Sequence, residues 1–111
     1  MKKTLLSVTL GVALMGTTGL AFADDAAQLE QGKTLFMTGA VPSCVICHTM
    51  QDAGAAGTIG PDLDELKPST DQVVKAMQTG IGAMPSFAAM LSPEQIDAVA
   101  AYVVQATGGA K

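Results

Sequence analysis

The stretch Cys44-Val45-Ile46-Cys47-His48 is the most informative part of this 111-residue chain. It contains both cysteines of the chain and its only histidine. On one helical turn, side chains three residues apart lie on the same side, so both thiols would reach one edge of a flat molecule. The imidazole that follows would then lie next to the centre of that molecule.

The pattern C-x-x-C-H is the attachment signature of c-type haem. Each thiol adds to one vinyl group of the porphyrin, which gives two thioether bonds, to Cys44 and Cys47. The imidazole of His48 can then be the proximal iron ligand. Its second ring nitrogen needs a hydrogen-bond acceptor to orient the ring. We therefore predict one covalently bound haem c.

Three other interpretations of the two cysteines fit the sequence less well. A redox dithiol of the thioredoxin type is expected within a βαβ pattern, which this sequence lacks. A structural zinc site usually has four ligands, whereas this chain offers two cysteines and one histidine. A structural disulfide would explain Cys44 and Cys47 but would leave the adjacent His48 a coincidence.

The second axial position of the iron has no histidine left to fill it, so a methionine, a lysine or an oxygen donor must serve. Methionine is a soft ligand that suits ferrous iron, and His/Met ligation raises the reduction potential. Met84 lies in a loop beside Gly82 and Pro85, where the backbone can approach a ring closely. We predict Met84 as this ligand, with Met90 and Met77 as the alternatives. Met77 is otherwise expected in the core, and Met90 is expected to pack before the last helix.

The first 23 residues have the layout of a secretory signal peptide. Lys2 and Lys3 precede an apolar run over residues 5–20, and Ala21-Phe22-Ala23 is a small-residue cleavage pattern. A membrane anchor is the alternative, but the run is short and is interrupted by glycines. We expect residues 1–23 to be removed and residues 24–111 to form a single exported, periplasmic domain without stable membrane insertion.

The mature chain would be acidic. Removal of Lys2 and Lys3 changes the formal charge from −4 to −6 and leaves four lysines and no arginine. Nucleic acids and anionic membranes bind clustered basic residues, so neither is an expected partner. The charge would suit a partner with a basic surface, although an acidic surface can also serve solubility alone.

Helical signals dominate residues 24–111, and no strand is predicted. Asp24 or Asp25 can cap a first helix that runs to about Met37, and a second helix begins at Ser69 or Thr70 and stops at Gly80. The final helix has the best signals, with Ser92 as N-cap, Pro93 at N1 and Gln95 in a capping box. Its predicted buried face is Ile96, Val99, Ala100 and Val103. Only three aromatic residues remain in the mature chain, so a cofactor is expected to fill part of the core.

Residues 28–107 resemble a small bacterial class I cytochrome c. The resemblance rests on an ordered set of motifs: Gly32-Lys33-Thr34-Leu35-Phe36, the haem motif Cys44 to His48, Gly60-Pro61-Asp62-Leu63, Gly82-Ala83-Met84-Pro85-Ser86-Phe87, and the tail from Leu91 to Val103. It implies an all-α fold in which three to five helices wrap round one haem and the terminal helices cross near Gly32.

The resemblance also implies specific contacts. Phe36 and Tyr102 would pack at the helix crossing, and the carbonyl of Pro61 would accept a hydrogen bond from His48. Polar groups of the loops would hold the two haem propionates. Because the mature chain has neither arginine nor tryptophan, this last role stays open between Lys67, Ser69 and the glutamines.

The implied function is electron transfer rather than catalysis. The iron would alternate between Fe(II) and Fe(III) while the protein docks transiently to redox partners, such as a dehydrogenase donor and an oxidase or another cytochrome as acceptor. An apolar rim of Val41, Pro42, Val45 and Ile59 would suit such docking. The alternatives are a fixed cytochrome subunit of a periplasmic dehydrogenase and a haem sensor or enzyme with a labile sixth ligand.

Overall fold

A computed structural model describes residues 11–13 and 20–111. The predicted signal peptide, residues 1–23, lies mostly outside these described residues. The described part is mainly helical, and it consists of α1 (Leu20–Thr34), a π-helical turn (Leu35–Gly39), α2 (Cys44–Cys47), β1 (Thr49–Met50), a 3-10 turn (Gln51–Ala53), β2 (Ala55–Ala56), α3 (Leu63–Leu66), α4 (Thr70–Thr79) and α5 (Pro93–Thr107). The all-α class is thereby confirmed, with one short hairpin added.

The two longest helices after α1 begin where their capping residues predict. Ser69 and Ser92 each accept a hydrogen bond from the N3 backbone, and the N3 glutamine of each helix bonds back to the N-cap backbone. Gly108 ends α5 in the left-handed conformation, with φ of 75°. Local sequence therefore fixes both ends of α5 and the start of α4.

The first helix differs from its prediction at both ends. α1 starts at Leu20, ahead of Asp24 and Asp25, so neither aspartate acts as its N-cap. After Thr34 the regular α-helix gives way to the π-helical turn that buries Leu35 and Phe36. The wider turn places both apolar side chains toward the core over a stretch that was predicted as plain α-helix.

The crossing of α1 and α5 forms one side of the core. A side chain at Gly32 would collide with the carbonyl group of Ala98 and with the Cβ atom of Tyr102. Next to this contact, the rings of Phe36 and Tyr102 meet edge to face, with centroids 5.8 Å apart. The helix crossing near Gly32 and the packing of Phe36 on Tyr102, both implied by the resemblance, are therefore present. Only glycine at position 32 lets the two backbones approach this closely.

The short hairpin β1–β2 is joined to this crossing by a polar contact. The hydroxyl of Tyr102 donates a hydrogen bond of 2.6 Å to Asp52 in the turn between the strands. Lys33 of α1 lies 3.6 Å from the same carboxylate. Three segments that are distant in sequence therefore meet at one carboxylate.

The predicted face of α5 is confirmed as the centre of the core. Ile96, Val99, Ala100 and Val103 are all buried. Phe36, Met50 and Met77 are buried with them. A cavity lies on the side of this core that faces α2 and α4.

Candidate functional site

The paired cysteines lie on α2, which is a single helical turn. Both thiols are free and half-buried, and the backbone turns into an extended conformation at His48. Burial raises the pKa of the Cys44 thiol to about 11, to which the nearby Cys47 adds a smaller effect. Before any covalent attachment, the Cys44 sulfur therefore retains its proton at neutral pH.

The imidazole of His48 is oriented by the loop that follows the hairpin. Its Nδ1 lies 2.7 Å from the carbonyl oxygen of Pro61. Because a carbonyl oxygen can only accept, Nδ1 is the protonated nitrogen, and Nε2 has a lone pair available to a metal.

Two glycines let this loop pack against the back of the motif. A Cβ atom on Gly60 would lie 2.7 Å from Cε1 of His48, and one on Gly57 would collide with the backbone of Ile46 and Cys47. The amide of Gly60 also donates to the carbonyl of Cys47 at 2.7 Å. Gly60 therefore lets the loop contact the imidazole directly, while Gly57 lets it pack on the backbone of the motif, a role that the sequence motifs did not predict.

A cavity of about 560 Å³ opens beside the motif and has largely apolar walls. It is lined by Cys44, Cys47, His48 and Met84 together with residues of α4 and the flanking loops. A smaller cavity of about 50 Å³, lined by Cys44, His48 and Met84 as well, reaches the core residues Val99 and Val103. Two thiols, one imidazole and one thioether at a single apolar cavity form a donor set that fits haem c.

Met84 lies in a tight turn after α4. The backbones of Ile81 and Met84 exchange two hydrogen bonds of 3.0 Å, and Gly80, with φ of 69°, lets the chain enter the turn. The amide of Phe87 donates to the carbonyl of Met77 at 2.7 Å, which ties the turn to the end of α4. The half-buried Met84 side chain is thus held at the cavity by local backbone contacts.

The sequence of this chain is similar to those of several known proteins. Residues 27–103 match the family described as "Cytochrome C oxidase, cbb3-type, subunit III". Cytochrome c6 of Gloeothece citriformis is 35% identical over 111 residues, which cover 95% of this chain and 94% of that protein. Chloroplastic cytochrome c6 of Chlamydomonas reinhardtii is 34% identical, over 95% of this chain and 71% of that protein. The chain is a class I c-type cytochrome.

A solved structure also supports the fold of this cytochrome. The crystal structure of the c-type cytochrome SorU from Sinorhizobium meliloti matches with a TM-score of 0.72 and 44% identity, over 78% of this chain and 98% of that chain. The fold prediction is confirmed, and membership of the family means that this cytochrome carries covalent haem c and transfers electrons.

The other methionines among residues 20–111 lie away from the main cavity. Met37 and Met90 are exposed, and neither lines it. The expectation that Met90 packs before the last helix is wrong, because 51% of Met90 is exposed. Met50 and Met77 are buried in the core, and of these only Met77 reaches the smaller cavity. Met84 is therefore the methionine that the structure places at the main cavity.

The predicted apolar rim is present with one correction. Val41 and Ile59 are 67% and 69% exposed, and Pro42 is also exposed. Val45 is instead half-buried against the core, while its neighbour Ile46 faces outward, because α2 turns Val45 inward. Ile81 and Leu66 at the cavity are exposed as well, at 69% and 52%. In the described part of this cytochrome, no helix is both long and apolar enough to cross a membrane.

Proposed function

We propose that this cytochrome is a periplasmic electron carrier in which His48 and Met84 are the axial ligands of the iron. The observation that carries the proposal is the placement of both side chains at one apolar cavity, with Nε2 of His48 available and Nδ1 bonded to Pro61. Cys44 and Cys47 at the same cavity would provide the covalent attachment.

The two axial ligands have different roles in this proposal. When bound, the haem supplies an iron that exchanges one electron between Fe(II) and Fe(III). The carbonyl of Pro61 holds the ring of His48 and increases its basicity. The thioether of Met84 favours the ferrous state and raises the reduction potential. Because loop and core fix both side chains, little rearrangement accompanies electron transfer.

Export and partner docking complete the proposal. The signal-peptide layout of residues 1–23 supports a periplasmic location. Exposed Val41, Ile59 and Ile81 provide apolar contact area near the cavity, and the formal charge of −6 after cleavage supports steering toward a basic partner surface. Such encounters between redox proteins are small and transient.

Replacement of Met84 tests the proposed axial pair. In Met84→Ala, we expect loss of the long-wavelength Met-to-iron charge-transfer band of the oxidised protein and a lower reduction potential, since the thioether ligand is gone. Met90→Ala is the matched control, because Met90 is exposed away from the cavity and its removal should leave the spectrum unchanged. An unchanged low-spin spectrum in Met84→Ala would remove Met84 from the site and would favour another ligand.

A fixed subunit of an oxidoreductase complex is the second candidate. The description of the matching family names an oxidase subunit, which favours a permanent partner. Size-exclusion chromatography of the native protein from its own cells separates the two functions. A free carrier elutes at the mass of one small cytochrome, whereas a subunit elutes with a catalytic chain.

A further inference from the structure

We propose that Lys75 and Gln72 of α4 bind the propionate carboxylates of the haem. The inference rests on the haem site described above and assigns a role that the sequence left open between several residues. Neither Lys67 nor Ser69, two of the candidates named from the sequence, lines the cavity, whereas Lys75 and Gln72 both do.

Lys75 is proposed because of its charge. Haem carries two carboxylates, and a carboxylate beside apolar walls needs a cation or hydrogen-bond donors to remain ionised. Among the described residues that line the cavity, Lys75 is the one lysine or arginine. Lys33 is instead paired with Asp52 at 3.6 Å, and Lys67 is an exposed C-cap residue of α3.

Gln72 is proposed because of the hydrogen bond that its side chain makes. Its Oε1 accepts from the backbone amide of Ser69 at 2.8 Å, as the capping box requires. This bond fixes the amide group and uses its acceptor, so the Nε2 hydrogens remain to donate to a bound anion. A primary amide held in this way is a neutral donor that complements the ammonium group of Lys75.

The arrangement on α4 brings the two groups together. Gln72 and Lys75 are three residues apart, so they are neighbours on the helix surface. Val73 and Ala76, from adjacent positions of the same helix, line the same cavity as apolar wall. Thr79 also lines it, but its hydroxyl bonds to the carbonyl of Lys75 at 2.8 Å. One helix thus supplies an apolar wall for the ring and a polar edge for its carboxylates.

The first test removes the charge of Lys75. Lys75→Gln and Lys67→Gln change the net charge equally, but only the first removes a group from the cavity. We expect the midpoint potential to fall in Lys75→Gln, because uncompensated propionates stabilise Fe(III), and to change much less in Lys67→Gln. The propionate bending band in the resonance Raman spectrum should shift in the first variant alone.

The second test uses the two capping boxes of the molecule. Gln72→Glu keeps a side-chain acceptor for Ser69, so the helix start is preserved, but it places a carboxylate beside the propionates. Gln95→Glu makes the same change in the matching box of α5, away from the cavity. We expect a lower potential and a shifted propionate band for Gln72→Glu and neither change for Gln95→Glu.

Equal potentials for Lys75→Gln and Lys67→Gln, with the propionate band unmoved in Gln72→Glu, would overturn the inference. Each preparation is first checked by its Soret band and its mass. A protein without haem contradicts the haem site itself, whereas a haem-loaded protein with unmoved potential and band contradicts only the roles of Lys75 and Gln72.

Discussion

The helix crossing and the haem cavity differ in what fills the space between their elements. At the crossing, Gly32 brings α1 against α5, and Phe36 packs on Tyr102, so protein atoms alone fill the space. At the cavity, α2, α4 and the turn at Met84 surround about 560 Å³ that their own side chains leave open. The crossing is a scaffold that the chain completes by itself, while the cavity walls depend on the cofactor for much of their packing.

The largest expected effect comes from adding a side chain at Gly32, where α1 contacts α5. Gly32→Val would place a branched side chain against the carbonyl of Ala98, and we expect a loss of about 3 kcal/mol or more in the free energy of unfolding. Guanidinium unfolding of the haem-loaded protein measures this loss. Ala27→Val adds valine to an exposed position of the same helix and should cost well under half as much. Similar losses in both variants would show that the crossing is not tightly packed.

A smaller loss of stability is expected from a substitution at Gly60, which lies behind the imidazole of His48. In Gly60→Ala, the new methyl group would lie 2.7 Å from Cε1 of His48 and push the ring away from Pro61. We expect a loss of about 1–3 kcal/mol in stability. The reduction potential should rise, because a weaker hydrogen bond makes the imidazole a poorer donor to Fe(III).

Thr58→Ala, at an exposed position of the same loop, is the control for Gly60→Ala. Both variants are compared by potentiometric titration and by thermal unfolding. A potential that stays at the wild-type value in Gly60→Ala would mean that the loop does not orient His48.

How well the sequence predicts a region depends on how far apart along the chain its interacting residues are. Helix α5 and the start of α4 are predicted correctly because their signals, a capping box and a regular apolar spacing, are local. The cysteine and histidine motif is equally local. The crossing at Gly32 was implied only by the family resemblance, since nothing near Gly32 in the sequence specifies its partner on α5.

Features that depend on the fold could not be read from the sequence. The bond between Asp52 and Tyr102 joins residues 50 positions apart. The position of Gln72 and Lys75 at the cavity depends on which face α4 turns toward α2. Val45 was expected on the exposed rim and Met90 was expected to pack, and both predictions are wrong. Short turns set the directions of these side chains, and such turns have no periodicity to analyse.

The smallest effect is expected where the hairpin meets the crossing. The hydroxyl of Tyr102 and, to a lesser degree, Lys33 hold the pKa of Asp52 below its ordinary value of 3.8. Burial and the same bond raise the pKa of Tyr102 well above its usual value. Tyr102→Phe should therefore cost about 1 kcal/mol of stability at neutral pH.

The pH dependence of this cost has a definite sign. A lowered pKa of Asp52 stabilises the fold above the ordinary value, and this contribution disappears as the pH falls below about 4. The raised pKa of Tyr102 contributes stability below about pH 10 that is lost at higher pH. The difference between wild type and Tyr102→Phe should be constant from about pH 5 to 9 and shrink outside that range. A difference that does not change at about pH 3 would show that the bond is not to an ionised Asp52.

The covalent haem is the claim on which the function of the cavity depends, and the mass of the mature protein tests it most directly. After expression with the cytochrome c maturation machinery, we expect the mass of the processed polypeptide plus one haem, together with a Soret band that resists acid–acetone extraction. Cys44→Ala/Cys47→Ala should have neither property. A wild-type protein with the mass of the bare polypeptide and no Soret absorption would contradict the account.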